Sequence, residues 1–110
     1  MRTLKLQSVN NLFGLIGSDL ISVFDELRDT PEIRTIQARH EASAGNMANG
    51  YARITGKFAV CMVHNGPGLT NALTSLAIAH RSFSPLVLIS GAATTSQHYR
   101  DAIQELQRRG

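Results

Sequence analysis

Three six-residue runs in this chain are apolar with little alternation: Ile33 to Ala38 ("IRTIQA"), Phe58 to Val63 ("FAVCMV") and Pro85 to Ser90 ("PLVLIS"). A strand with one wet face alternates. Runs like these predict strands buried on both faces, as in a parallel sheet covered by helices. The flanking residues agree, because each run leads into a helical pattern. The first precedes "RHEASAGNMANGYARITG", which Gly56 stops; the second passes through "HNGPG" into "LTNALTSLAIAHRS"; the third passes through "GAATTS" into "SQHYRDAIQELQRR". A fourth run, Asn11 to Gly17 ("NLFGLIG"), precedes "SDLISVFDELRDTP", where Ser18 is a candidate cap, Leu20, Val23, Phe24 and Leu27 share a face, and Pro31 ends the helix. Repeated strand-then-helix order predicts an α/β fold: a doubly wound, mostly parallel sheet with helices on both faces.

The 110 residues suit one domain with a modest core. With 43% hydrophobic and 17% charged residues the chain belongs to the folded class. Its net charge of +3 is no nucleic-acid signature, since Arg2, Lys5, Arg108 and Arg109 lie at the two ends, and there is no basic stripe with interleaved aromatics. Cys61, the single cysteine, excludes an intrachain disulfide and sits where a buried structural thiol is expected. No run has membrane-spanning length, and the first residues lack the apolar core of a signal peptide, so the expected compartment is the cytoplasm.

An open parallel sheet binds ligands beyond the carboxyl ends of its strands. That rule selects Gly14 to Ser18, Arg39 to Glu41, His64 to Gly68 and Ser90 to Ala93, which hold Glu41, two histidines and most strand-end glycines. Glycines at such turns are also plain backbone necessities. "GPGLTNA" approaches a dinucleotide fingerprint but has Asn71 at its third glycine position, and "GLIGS" lacks the lysine of a P-loop. A tight turn at a helix start remains, able to receive an anion or a polar group. In the helix after Glu41, Gly45, Ala48 and Ala52 leave one face nearly bare, which predicts a close neighbour there, a cofactor or a partner subunit.

The stretches "RHEASAGNMANGYARITGK" and "VHNGPGLTNALTSLAIAHRSFSPLVLISG", in this order around a short strand, resemble the N-terminal pyrimidine-binding domain of thiamine-diphosphate enzymes. That family includes acetolactate synthases, sulfoacetaldehyde acetyltransferases, benzoylformate decarboxylases and 2-hydroxyacyl-CoA lyases. The likeness runs from about Leu12 to Gly91. It implies that Glu41 hydrogen-bonds N1′ of the cofactor's aminopyrimidine, favouring the tautomer whose 4′-nitrogen takes the proton from C2 of the thiazolium. It implies that Gly66, Pro67, Gly68 and Asn71 line the cofactor. His64 matches a proton-transferring histidine of benzoylformate decarboxylases, and Gly17 with Ser18 matches their substrate-facing turn. Each has a plainer reading as well: a structural hydrogen-bonder for His64, a helix cap for Ser18. His80 and His98 are expected on helix surfaces, and His40 is expected to orient its neighbour.

Departures from the family pattern are specific. Ile16 stands where the glycine loop usually has proline, and Gly91-Ala92 replaces the common Gly-Gln. No Gly-Asp-Gly occurs, so the Mg²⁺ and diphosphate ligands of the family are expected from a domain outside residues 1–110, carried by a partner subunit. The helix before the first strand is expected to be shortened or absent, and the chain is expected to be a single truncated domain within a homodimer or higher oligomer. The expected function is the pyrimidine-side half of a site for decarboxylation or carboligation of 2-oxo acids, with thiamine diphosphate and Mg²⁺ as the expected cofactors and FAD left open for the parent enzyme. The rival reading is a non-catalytic α/β binding or dimerisation module.

Overall fold

The computed structural model describes residues 1–92; the expected C-terminal helix and its His98 lie outside them. The elements run α1 (Arg2–Leu6), β1 (Asn11–Gly14), a 3₁₀ turn (Ser18–Leu20), α2 (Ile21–Arg28), β2 (Arg34–Gln37), α3 (Glu41–Thr55), β3 (Ala59–Val63), α4 (Pro67–Arg81) and β4 (Leu86–Ser90). All strand pairs are parallel, in the order β2-β1-β3-β4, with Phe13 opposite both Ile36 and Cys61, and Cys61 opposite Leu88.

Side chains along each strand alternate between two cores, as the period of two requires. Phe13, Ala59, Cys61 and Val63 face the alanines of α3 and Ala72 of α4. Leu12, Val60 and Met62 face Leu20 and Leu27, with Val23, Phe24 and Leu4 packed alongside. Helices therefore cover both faces, the α/β doubly wound arrangement. The N-terminal helix is present but only five residues long.

Burial differs from the expectation at the outer strands. β3 is buried throughout, but β2 exposes Arg34, Thr35 and Gln37, and β4 is half-buried with Val87 exposed. Among the described residues β2 and β4 have a strand neighbour on one side only, so neither receives the full cover of β1 and β3. The helices begin and end for local reasons. Gly56 closes α3 at φ 68°, a left-handed cap that favours glycine. α4 starts two residues ahead of "LTNA", so Pro67 and Gly68 form its first turn rather than a connecting loop; proline is well suited to that position. Ser18 makes no capping hydrogen bond, because Gly17 is the N-cap of the 3₁₀ turn and Leu20 that of α2.

The small-residue face of α3 is occupied from within the chain, which corrects the expectation of a cofactor or partner there. Ala48 and Ala52 are packed against the sheet, and Gly45 meets α4. A Cβ on Gly45 would sit 2.5 Å from Cβ and 2.9 Å from Oγ of Ser75. The buried Ser75 hydroxyl lies 3.0 Å from both the Ala42 carbonyl and Asn46 Oδ1, donating to one at a time. Phe13 and Tyr51, with ring centroids 5.8 Å apart, lock the same helix to β1. Among the described residues, nothing lies within 4 Å of a would-be Cβ on Gly50 of the same helix. Alanine at Gly50 is therefore expected to stabilise the fold by roughly 0.5–1 kcal/mol through helix propensity alone. Alanine at Gly45 must push α3 off α4, an overpacking cost of about 1–3 kcal/mol that exceeds the same gain. Urea unfolding of the two variants should shift in opposite directions.

Candidate functional site

The order β2-β1-β3-β4 reverses direction between β1 and β3, and in such sheets the crevice at that switch point receives ligands. The residues just past β1 and β3 meet there. Gly17 packs against His64 so closely that a Cβ on it would fall 2.5 Å from Nδ1 and 2.8 Å from Cγ of that ring. Asp19, two residues on, contacts His64 Nδ1 through Oδ1 and accepts the Asn65 backbone N–H at Oδ2, 3.0 Å away. Ser90, at the end of β4, donates to the His64 carbonyl at 3.4 Å.

Glu41 enters from the neighbouring strand end. It is the first residue of α3, and His40 is the N-cap, its Nδ1 accepting the Ala42 N–H at 3.2 Å. The expected orienting role of His40 thus takes a concrete form: it fixes the first turn of the helix that carries Glu41. Glu41 Oε2 accepts from Asn71 Nδ2 at 3.0 Å, while Oε1 takes no hydrogen bond among the described residues.

The Gly66-Pro67-Gly68 turn joins the two groups. Gly66 has φ 61° and ψ −112°, a backbone suited to glycine. Gly68 is buried, and a Cβ there would lie 3.2 Å from His64 Cβ and 3.4 Å from Glu41 Oε1. A side chain at residue 68 would thus stand between acid and histidine, in close contact with both. Asn65 Oδ1, in the same loop, is buried and has no hydrogen-bond partner among the described residues.

The structure thus brings together Glu41, His64, Gly17, Gly68 and Asn71. Pro67 is exposed at the first turn of α4, and Ser18 is exposed. In the turn that carries Ser18, the side chain reaching His64 is Asp19, which sequence reasoning missed. In the sequence Asp19 has only the look of a first-turn acid, one residue past the strand-end turn. His80 is exposed on α4, as expected.

Cys61 adds an electrostatic trace of the site. Burial first, and the charge of Glu41 second, push its thiol up from the ordinary 9.0 to about 11. The unfolded chain therefore loses this proton at lower pH than the folded one, so this contribution to stability is complete below pH 9 and declines as pH rises through 11. Near pH 10.5 the loss is roughly 2 kcal/mol, from about 1.4 kcal/mol per pKa unit. The unfolding free energies of wild type and Cys61→Ala, from urea titrations at pH 8 and 10.5, should differ between the two pH values by that amount in wild type only.

A parallel sheet with a half-buried carboxyl at one helix start and a glycine turn at another, both at the carboxyl ends of the strands, is the arrangement of an α/β domain that receives a ligand at that edge. The family model described as the N-terminal TPP binding domain of thiamine pyrophosphate enzymes matches residues 1–109, and the chain belongs to that family. It is 41% identical over 105 residues to the acetolactate synthase large subunit of Buchnera aphidicola subsp. Schizaphis graminum, covering 96% of this chain and 18% of that protein. It is 41% identical over 107 residues to the acetolactate synthase isozyme 1 large subunit of Escherichia coli, covering 97% and 19%. An X-ray structure assigned to the thiamin diphosphate-dependent enzymes, from Mycobacterium smegmatis, superposes with a TM-score of 0.82 at 34% identity, over 92% of this chain and 19% of that one. The chain spans less than a fifth of the length of these relatives.

No helix among the described residues is long and apolar enough to cross a membrane. Among the same residues no three His, Cys, Asp or Glu side chains form a group able to hold a metal ion.

Proposed function

We propose that this chain supplies the pyrimidine-side half of a thiamine-diphosphate site, in an enzyme that decarboxylates or joins 2-oxo acids. An acetolactate-synthase-like reaction is the first choice and a sulfoacetaldehyde-acetyltransferase-like one the second. The observation that carries the reading is Glu41. One oxygen of its carboxyl is held by Asn71, and the other lies 3.4 Å from where a side chain on Gly68 would begin. A carboxyl so held has one oxygen left to share a proton with a ring nitrogen, which is what the aminopyrimidine requires.

The bound cofactor would supply the carbanion-stabilising chemistry. This chain's residues do the rest of their half. Glu41 holds and exchanges the proton at the pyrimidine, Asn71 keeps the carboxyl aimed, and Gly66 to Gly68 admit the ring edge. His64, past the end of β3, is placed to handle a proton of the substrate, with Gly17 and Ser18 forming the wall of the turn beside it. Oxygen ligands for Mg²⁺ come from a diphosphate-binding domain outside this chain, in a homodimer or larger assembly.

The test is exchange of the cofactor's C2 hydrogen with deuterium in the assembled enzyme. Exchange is expected to be fast with Glu41 and to fall toward the rate of free cofactor with Glu41→Gln; unchanged exchange would remove Glu41 from the role.

A further inference from the structure

We propose that Asp19 is the positioning residue of His64, holding the proton of the neutral ring on Nδ1 and leaving Nε2 as its acceptor. The ring's use on a substrate proton rests on the reading given under Proposed function; the tautomer does not.

The Asp19 side chain is 11% exposed and that of His64 18%, so the pair is largely withdrawn from water. Each carboxylate oxygen has one role: Oδ2 takes the Asn65 N–H and Oδ1 takes the ring. A carboxylate oxygen that meets a ring nitrogen accepts from it, so in the neutral ring Nδ1 is the donor and Nε2 carries the lone pair. Imidazole nitrogens are distinguished in this way by the partner that one of them meets.

Two glycines show that the fold makes room for this pair. Gly17 has φ −125° and ψ 161°, extended backbone open to any residue, and Gly91 has no positive φ. Neither needs to be glycine for its backbone. A side chain on Gly17 would strike the His64 ring, and one on Gly91 would overlap the Asp19 carboxylate. The ends of β1, β3 and β4 thus close around the Asp19–His64 contact, 45 residues apart in the chain. The same space accounts for Gly91, which the family pattern shares; the departure itself, Ala92, has no explanation in it.

Asp19→Asn makes the decisive variant. Its amide oxygen can keep the Asn65 N–H, which turns the NH₂ toward Nδ1 and forces that nitrogen to accept. Long-range ¹H–¹⁵N NMR of the histidine rings in the 110-residue chain, at a pH where they are neutral, reads the result directly. Expected is a pyrrole-like Nδ1 for His64 in wild type and a pyridine-like Nδ1 in Asp19→Asn. Should that variant fold poorly, Gly91→Ala displaces the carboxylate without removing its charge and should also lose the wild-type pattern. A wild-type His64 protonated on Nε2, or a tautomer unmoved by both variants, overturns the proposal. In the assembled enzyme Asp19→Asn should lower kcat by about 10²-fold or more, the size of a lost acid–base group, with little change in KM. An inverted tautomer with unchanged kcat would uphold the Asp19 assignment and overturn the use of His64 on substrate.

Discussion

Glu41→Gln is expected to lower turnover of the assembled enzyme by about 10²–10⁴-fold, the contribution of a positioned acid–base group. That corresponds to roughly 3–5 kcal/mol of transition-state stabilisation. The substitution isolates chemistry from structure. Glutamine has nearly the same volume, its amide oxygen can still accept from Asn71, and the His40 cap of α3 is untouched. Removed is the ability to exchange a proton at the other position, where an NH₂ replaces the Oε1 oxygen. Circular dichroism and urea unfolding should match wild type while turnover falls. Equal loss of stability and activity would mean that Glu41 is a structural acid tying α3 to α4.

Gly68→Val is the second large effect. The Cβ alone lands 3.2 Å from His64 Cβ and 3.4 Å from Glu41 Oε1, and the two methyls of valine extend further into the space between them. Overpacking of this kind costs about 1–3 kcal/mol of stability. Cofactor affinity should fall by about tenfold or more, which corresponds to about 1.4 kcal/mol of binding energy. Gly68→Ala serves as the graded control, since its single methyl needs shifts of only a few tenths of an ångström. Should the valine variant bind and turn over normally, the turn is merely a connection between β3 and α4.

Much of this architecture is legible in the residues because local signals and burial agree. "FAVCMV" is buried throughout as β3, Gly56 ends α3, and Leu20 and Leu27 face the core beneath the sheet. The strand-end rule also gathers Glu41, His64 and Gly68 correctly, since parallel strands place all their carboxyl ends on one side. What is not legible depends on partners distant in the chain. "IRTIQA" reads as buried, yet β2 lies outside β1 in the sheet, and strand order is not written in any local pattern. The bare face of α3 shows that something packs closely there; that it is Ser75 emerges only from the crossing of α3 and α4. Asp19 looks like an ordinary first-turn acid until His64 is seen beside it.

On this reading the chain recognises the pyrimidine and not the diphosphate of the cofactor. The most direct measurement is a ¹⁵N-NMR titration of the 110-residue chain with thiamine and, separately, with thiamine diphosphate and Mg²⁺. A charge-assisted hydrogen bond contributes about 1.5–3 kcal/mol, and a millimolar complex needs about 4 kcal/mol. Both ligands should therefore bind at millimolar affinity or weaker and to similar extents. The amides of Glu41, Ala42, His64 and Gly68 to Asn71 should shift, and Glu41→Gln should abolish those shifts. Tight binding of thiamine diphosphate alone, or shifts that survive in Glu41→Gln, would contradict pyrimidine recognition by Glu41.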